Sequence, residues 1–252
     1  MQAPCARIAI LSDFGEGPYV GQMQLRLSAL ASGVPVVRLI SDLPPFRPDL
    51  AAYLLPGLQA GMPAETLYCC VVDPGVGTHR DVLAVQCGAD WWLGPDNGLL
   101  VPMLRTVPDA CVYRLRWRPR QLSASFHGRD LFVPVAARLA AGELLDAERI
   151  DPAQLVGADW PRDSARICYV DAFGNLMTGL LADDLAEDTE LQAGALWLRR
   201  ARTFSDVPIG QAFWYRNAFG LVELALNQGR ADVSLGLSLG APIAFRAYSP
   251  PA

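Results

Sequence analysis

The chain has 252 residues, 52% apolar and 19% charged, enough buried-type side chains for a globular protein of one large or two ordinary domains without cross-links. A net charge of −5 offers no basic face for phosphates, which argues against a nucleic-acid partner. Every basic side chain is arginine, so Schiff-base chemistry, a lysine general base and a phosphate-loop lysine are excluded.

The first apolar run, Ile8–Leu11, stops at Ser12-Asp13 without a signal-peptide h-region or cleavage site, and no apolar stretch approaches bilayer length. The expectation is a cytoplasmic protein with no membrane partner. Helical patterns over Tyr19–Ala31 and Pro48–Leu58 lie between strand-like runs at Ile8–Leu11, Val36–Ile40 and Leu67–Val72, with a further run at Val82–Cys87. That alternation predicts an α/β N-terminal domain, residues 1–160, with a mainly parallel central sheet. Gly94–Gly98 reads as a tight turn starting a helix from Leu99, and Asp130–Ala141 as a helix with Pro134 at a kink or in its first turn. Past the polar stretch Ala158–Asp163 come short strand-like pieces at Ile167–Val170, Leu176–Leu180, Ala195–Arg200 and Ile243–Arg246. They predict a smaller, β-rich, barrel-like C-terminal domain over 164–252. Gly220–Asn227 reads as a helix capped by Gly229.

Most of the six cysteines (Cys5, Cys69, Cys70, Cys87, Cys111, Cys168) sit in apolar runs and read as reduced core thiols. With no Cys-x-x-Cys pair and only His79 and His127, no zinc cluster is expected.

Five polar clusters fall at the ends of apolar runs, where open α/β sheets place ligands: Ser12–Gly15, Asp73–Arg80, Gly94–Gly98, Ser125–Asp130 and Asp171–Asn175. Asp13 is the residue type that holds a ribose diol, and equally a turn aspartate before glycine. Asp73–Arg80 packs two glycines and a proline between a carboxylate and a guanidinium, as a loop approaching a ligand or a plain surface turn would. His127, next to Phe126, Gly128, Arg129 and Asp130 and just before a helical pattern, can be a catalytic or a structural histidine. Phe173 and Asn175 offer an aromatic face and an amide able to read a purine edge, or simply a β-turn.

In order and spacing these clusters resemble the S-adenosylmethionine hydroxide adenosyltransferase family, relatives of the fluorinating and chlorinating enzymes, over about Ile8 to Phe245. The resemblance implies hydrolysis of S-adenosyl-L-methionine to adenosine and methionine, with no separate cofactor and no metal. It implies a catalytic set of Asp73 and Arg80, seven apart in Asp-Pro-Gly-Val-Gly-Thr-x-Arg, and His127 in Ser-Phe-His-Gly-Arg-Asp. It implies substrate contacts from Asp13, Phe46, Phe126, Gly128, Asp171, Phe173, Asn175, Asn217 and Phe219. It also implies a homotrimer with active sites shared between subunits. Gly17 and Ala218 depart from the aspartate and serine that family members often carry, a change that bears on substrate affinity more than on reaction type. Halide attack at the same carbon and a non-catalytic nucleoside or S-adenosylmethionine sensor are the competing readings.

Overall fold

In the computed structural model, which describes residues 5–143 and 145–247, the opening apolar run becomes β1 (Arg7–Ser12), buried on both faces from Ile8 onward. The chain forms two units: one holds residues up to 52 and 61–160, the other residues 53–60 and those from 161 onward.

In the first unit α1 (Pro18–Leu30) starts on a proline, whose missing N–H has no intrahelical partner to lose there. β2 (Val36–Ile40) follows, then the stretch expected as one helix breaks into α2 (Pro48–Ala51), a 3₁₀ turn at Ala52–Leu54 and α3 (Leu55–Gln59), of which residues 53–60 belong to the second unit. The break fits Pro56, which cannot donate within a helix interior. Next come β3 (Thr66–Val71), a hairpin of β4 (Val82–Cys87) and β5 (Asp90–Pro95), then α4 (Val101–Leu104) and β6 (Cys111–Leu115). A π-helical turn at Gly128–Phe132 leads into α5 (Val133–Ala140), with Pro134 in its first turn, and β7 (Ala147–Ile150) closes the unit. The helix expected from Leu99 is only the four-residue α4.

The sheet runs β2-β1-β3-β5-β4-β6-β7. β2, β1, β3 and β5 pair in parallel, while β4–β5, β4–β6 and β6–β7 are antiparallel, leaving only β4 and β7 reversed. The sheet is therefore mixed and mostly parallel. Ile8, Ile10, Cys69, Val71 and Leu93 share one core with Met23, Leu27 and the apolar face of α5.

The second unit is antiparallel: a sheet of four, β12 (Ala212–Arg216), β13 (Leu221–Leu226), β9 (Leu176–Leu181) and β8 (Ser164–Val170), and a sheet of three, β11 (Leu196–Leu198), β10 (Thr189–Ala193) and β14 (Ala244–Ala247). Single bridges, Arg166–Pro242 and Arg200–Trp214, link residues at the edges of the two sheets. Trp214, fully buried with its indole N–H donating to Thr189 O at 2.9 Å, packs with Ile167, Leu191 and Leu224. Here the sequence misleads: Gly220–Asn227 is not a helix but strand β13, and Gly229 ends a turn bridged to Leu226 instead of capping a helix. Leu221-Val222-Glu223-Leu224-Ala225 is buried on both faces, so it lacks the alternation that marks a half-exposed strand. The unit's one α-helix after 161 among the described residues is α6 (Ala231–Leu235).

Candidate functional site

The parallel strands β1 and β3 run side by side with Ser12 level with Val71, so the residues just beyond them, Asp13 and Asp73, emerge at the same carboxyl edge. The loop after Asp73 turns on Gly77 (φ +83°) and is tied by the Thr78 hydroxyl donating to Gly75 O at 2.7 Å. It returns Arg80 over Asp73. Arg80 Nε donates to both Asp73 oxygens at 2.8 Å and its Nη2 to Asp73 Oδ2. The same Nη2 lies 3.0 Å from His127 Nδ1. A guanidinium is a permanent donor, so Nδ1 accepts and the ring proton sits on Nε2. His127 is 5% exposed, and burial first, then the Arg80 charge, hold its pKa below the free-imidazole value. The imidazole is thus neutral near pH 7. The Arg80 guanidinium also lies 5.2 Å over the Phe132 ring, on the far side of the π-turn that follows His127.

The other predicted residues of this unit gather around that group by two routes. Asp13 Oδ2 accepts the Phe46 N–H at 3.0 Å, and Phe46 itself, 74% exposed, sits at φ +60°, a strained conformation for a bulky residue. Burial pushes the Asp13 carboxyl up, the Phe46 N–H opposes this and the Asp73 charge adds to it. Phe126 forms an aromatic trio with Phe14 and Tyr19, centroids 5.1–5.8 Å apart. Gly128 lies against them: a Cβ there would come within 3.1–3.2 Å of Met23 Sδ, Phe126 Cε2 and Phe14 Cε2. Asp130, by contrast, is held by the Arg129 fork at 2.8 Å and by Arg26 at 3.3 Å, a structural anchor for the π-turn. Gly94–Gly98 is architectural too: Asn97 Nδ2 donates to Val72 O at 2.9 Å and Asp96 Oδ1 accepts from Val156 N at 3.0 Å.

In the second unit Asp171, Phe173 and Asn175 line a cleft of about 590 Å³ with Phe204, Tyr215, Leu226, Gln228 and Gly229. Asp171 Oδ1 accepts from the N–H groups of Phe173 and Asn175, and Oδ2 from Asn175 Nδ2 at 2.9 Å. Asp171 takes one of the two Asn175 amide N–H groups and leaves the other and the carbonyl oxygen. Asn217 and Phe219 do not line this cleft. Asn217 is buried, its Oδ1 accepting from Phe219 N at 2.9 Å and Leu221 N at 3.0 Å, and Phe219 packs on Gly57 of α3. Phe204 and Tyr215 escaped the sequence reading; the aromatic density of Phe213-Trp214-Tyr215 was the available signal. Among the described residues no group of three or more His, Cys, Asp or Glu is placed to hold a metal ion, and no helix is long and apolar enough to cross a membrane.

The first unit thus holds a buried carboxylate–guanidinium–imidazole group at the carboxyl edge of a mostly parallel sheet, and the second unit an aromatic cleft. The chain belongs to the SAM hydroxide adenosyltransferase family: models of its N-terminal and C-terminal domains match residues 8–149 and 165–244. It is 36% identical to an (R)-S-adenosyl-L-methionine hydrolase of Thermus thermophilus, over 94% of this chain and 98% of that protein. It is 35% identical to a protein of the same name from Salinispora arenicola, over 92% and 95%. An uncharacterized conserved protein of Thermotoga maritima, 26% identical, superposes with a TM-score of 0.83 over 94% of this chain and 99% of that one.

Proposed function

We propose that the protein hydrolyses S-adenosyl-L-methionine to adenosine and L-methionine, with Asp73, Arg80 and His127 as the catalytic group. The observation that carries the mechanism is Arg80 bridging a carboxylate and a neutral imidazole. Asp73 is held by two guanidinium nitrogens, whereas His127 Nδ1 meets Nη2 alone, so His127 is assigned as the base once a water takes the place of that contact. A water that displaces the direct 3.0 Å contact between Arg80 Nη2 and His127 Nδ1 accepts from the one and donates to the other. Its oxygen attacks C5′ in line with the C5′–S bond, the water proton passes to Nδ1, and the C5′–S electron pair leaves on sulfur as a neutral thioether. No general acid is needed at the leaving group. Arg80 stabilises the growing negative charge on oxygen, and Asp73 fixes the guanidinium.

Asp13, the residue type that binds a ribose diol, stands beside this group with Phe46 held against it; Phe126 and Gly128 shape the wall behind His127. Asp171, Phe173 and Asn175, joined by Phe204 and Tyr215, take the nucleoside or methionine end, and Asn217 and Phe219 act through their turn. This assigns catalysis and part of the substrate contacts to a domain over 1–160 and the remaining contacts to a second over 164–252. The barrel-like reading of the latter is supported by its two single bridges. The family resemblance supports a homotrimer with shared sites, and six free cysteines support a reducing, cytoplasmic location.

The test is incubation of metal-stripped protein with S-adenosylmethionine, with and without chloride, following adenosine, 5′-halo-adenosine and methionine by chromatography. The expected result is equal adenosine and methionine, independent of chloride, with His127→Ala lowering kcat by about 10²–10⁴. A halogenated nucleoside, or tight binding without turnover, would replace the hydrolase reading with the halogenase or the sensor.

A further inference from the structure

Ser12 ends β1 and opens the first of the polar clusters, yet the reaction described above gives it no part. The residue is fully buried, and among the described residues its Oγ has no hydrogen-bond partner. Its main chain is satisfied, the carbonyl accepting from Leu43 N at 3.1 Å, so the orphan is the hydroxyl alone. A buried hydroxyl left unpaired destabilises a protein relative to an alanine in its place, which makes a serine here an expense unless the reacting complex supplies its partner.

Its position says what that partner is. Side chains alternate along a strand, so Ser12 lies on the face of β1 that carries Ile8 and Ile10, and on the face of Val71, level with it on β3. Against that face pack Leu131 and Phe132 of the π-turn, which His127 immediately precedes. The Arg80 guanidinium lies 5.2 Å over the Phe132 ring, and Asp73 follows Val71 by two residues at the same carboxyl edge. Ser12 thus stands on the sheet face and edge that carry Asp73, Arg80 and His127.

The attacking water has a matching need. It has two lone pairs and two protons. One lone pair attacks C5′ and the other accepts from Arg80 Nη2, while one proton passes to His127 Nδ1. The second proton stays on the oxygen and becomes that of the product 5′-hydroxyl, and until then it requires an acceptor to hold the water in line. A serine oxygen has lone pairs to accept with, whereas a guanidinium has none.

We propose that Ser12 is a further catalytic residue, whose Oγ accepts the second proton of the attacking water and so aims the water's free lone pair at C5′. No bond to Ser12 forms or breaks. This rests on the assignment of Asp73, Arg80 and His127 as the catalytic group.

The test compares adenosine release and thermal melting of the full-length wild type, Ser12→Ala and Ser12→Thr. Ser12→Ala should lower kcat by about fivefold or more, the equivalent of one hydrogen bond, and leave KM within about twofold, because the bond is made to water and not to the substrate. The same substitution should raise Tm by about 2–4 °C, since it removes an unpaired hydroxyl from the free protein. A serine kept for structure alone gives the reverse, a lower Tm with kcat retained. Ser12→Thr keeps the hydroxyl on a residue type suited to strands and should hold kcat within about twofold of wild type; Ser12→Ala decides the case if the threonine variant does not fold. An unchanged kcat in Ser12→Ala, a loss carried by KM alone, a lower Tm, or a folded threonine variant as slow as the alanine one would overturn the proposal. Absence of adenosine from the wild type would sink the hydrolase reading and this proposal with it, whereas a wild type that turns over beside an equally fast Ser12→Ala would remove only the role of Ser12.

Discussion

Arg80 sits between two acceptors that differ in kind: Asp73 holds a full negative charge, whereas His127 offers a lone pair only while its ring is neutral. Protonating His127 would turn Nδ1 into a donor facing a permanent donor, and would place two cations side by side. The depressed imidazole pKa therefore defines a pH window. Its folded value lies below the free value of about 6.5, so the neutral form persists as the pH falls past that point and is lost only lower down. The acid limb of kcat/KM should have an apparent pKa below about 6.5 and vanish as a separate step in His127→Ala; a limb above that value would contradict the arrangement. The residues of this group were legible in the sequence as types and spacings, because Asp73 and Arg80 share one short loop. Their contact with His127, 47 residues beyond Arg80, was not, because no local periodicity says where a distant loop returns.

At the scale of elements, reading succeeded where a run was bounded by clear turn residues and failed where burial removed the pattern. β1, β2, β3 and β4 were found within a residue or so because each apolar run is short and followed by polar or glycine turns. β13 was taken for a helix because both of its faces are covered, and its length alone does not separate the two structures. The Pro48–Leu58 segment reads as one helix but bends through a 3₁₀ turn, which brings Gly57 of α3 against Phe219. A methyl group at Gly57 would collide with the Phe219 Cβ and approach its carbonyl oxygen to 2.9 Å. Because backbone is involved, the contact cannot relax by a rotamer change. Gly57→Ala should destabilise the protein by about 1–3 kcal/mol, lowering Tm by roughly 2–4 °C per kcal/mol in a protein of this size. An unchanged melting curve would show that the turn carrying Asn217 and Phe219 adapts freely.

For the whole molecule, the proposed trimer makes activity a property of the assembly. Sedimentation of the active enzyme should give the trimer mass, and protein diluted until monomers dominate should lose turnover; an active monomer would refute the shared site. A mixed α/β part followed by a smaller β-rich part was readable from the run of elements, but the membership of residues 53–60 was not, because nothing in an eight-residue helical stretch says which core it will join. Tyr53 Oη donates to Pro161 O at 2.9 Å, and the Tyr53 Cβ lies where a Gly179 side chain would otherwise extend. The second unit is thus built from two separate stretches of chain, and the gene does not divide where the structure does. Recombination between relatives that joins one protein's first 160 residues to another's remainder would carry a foreign α3 into the second unit, so functional chimeras of this family should require that segment to travel with the C-terminal half.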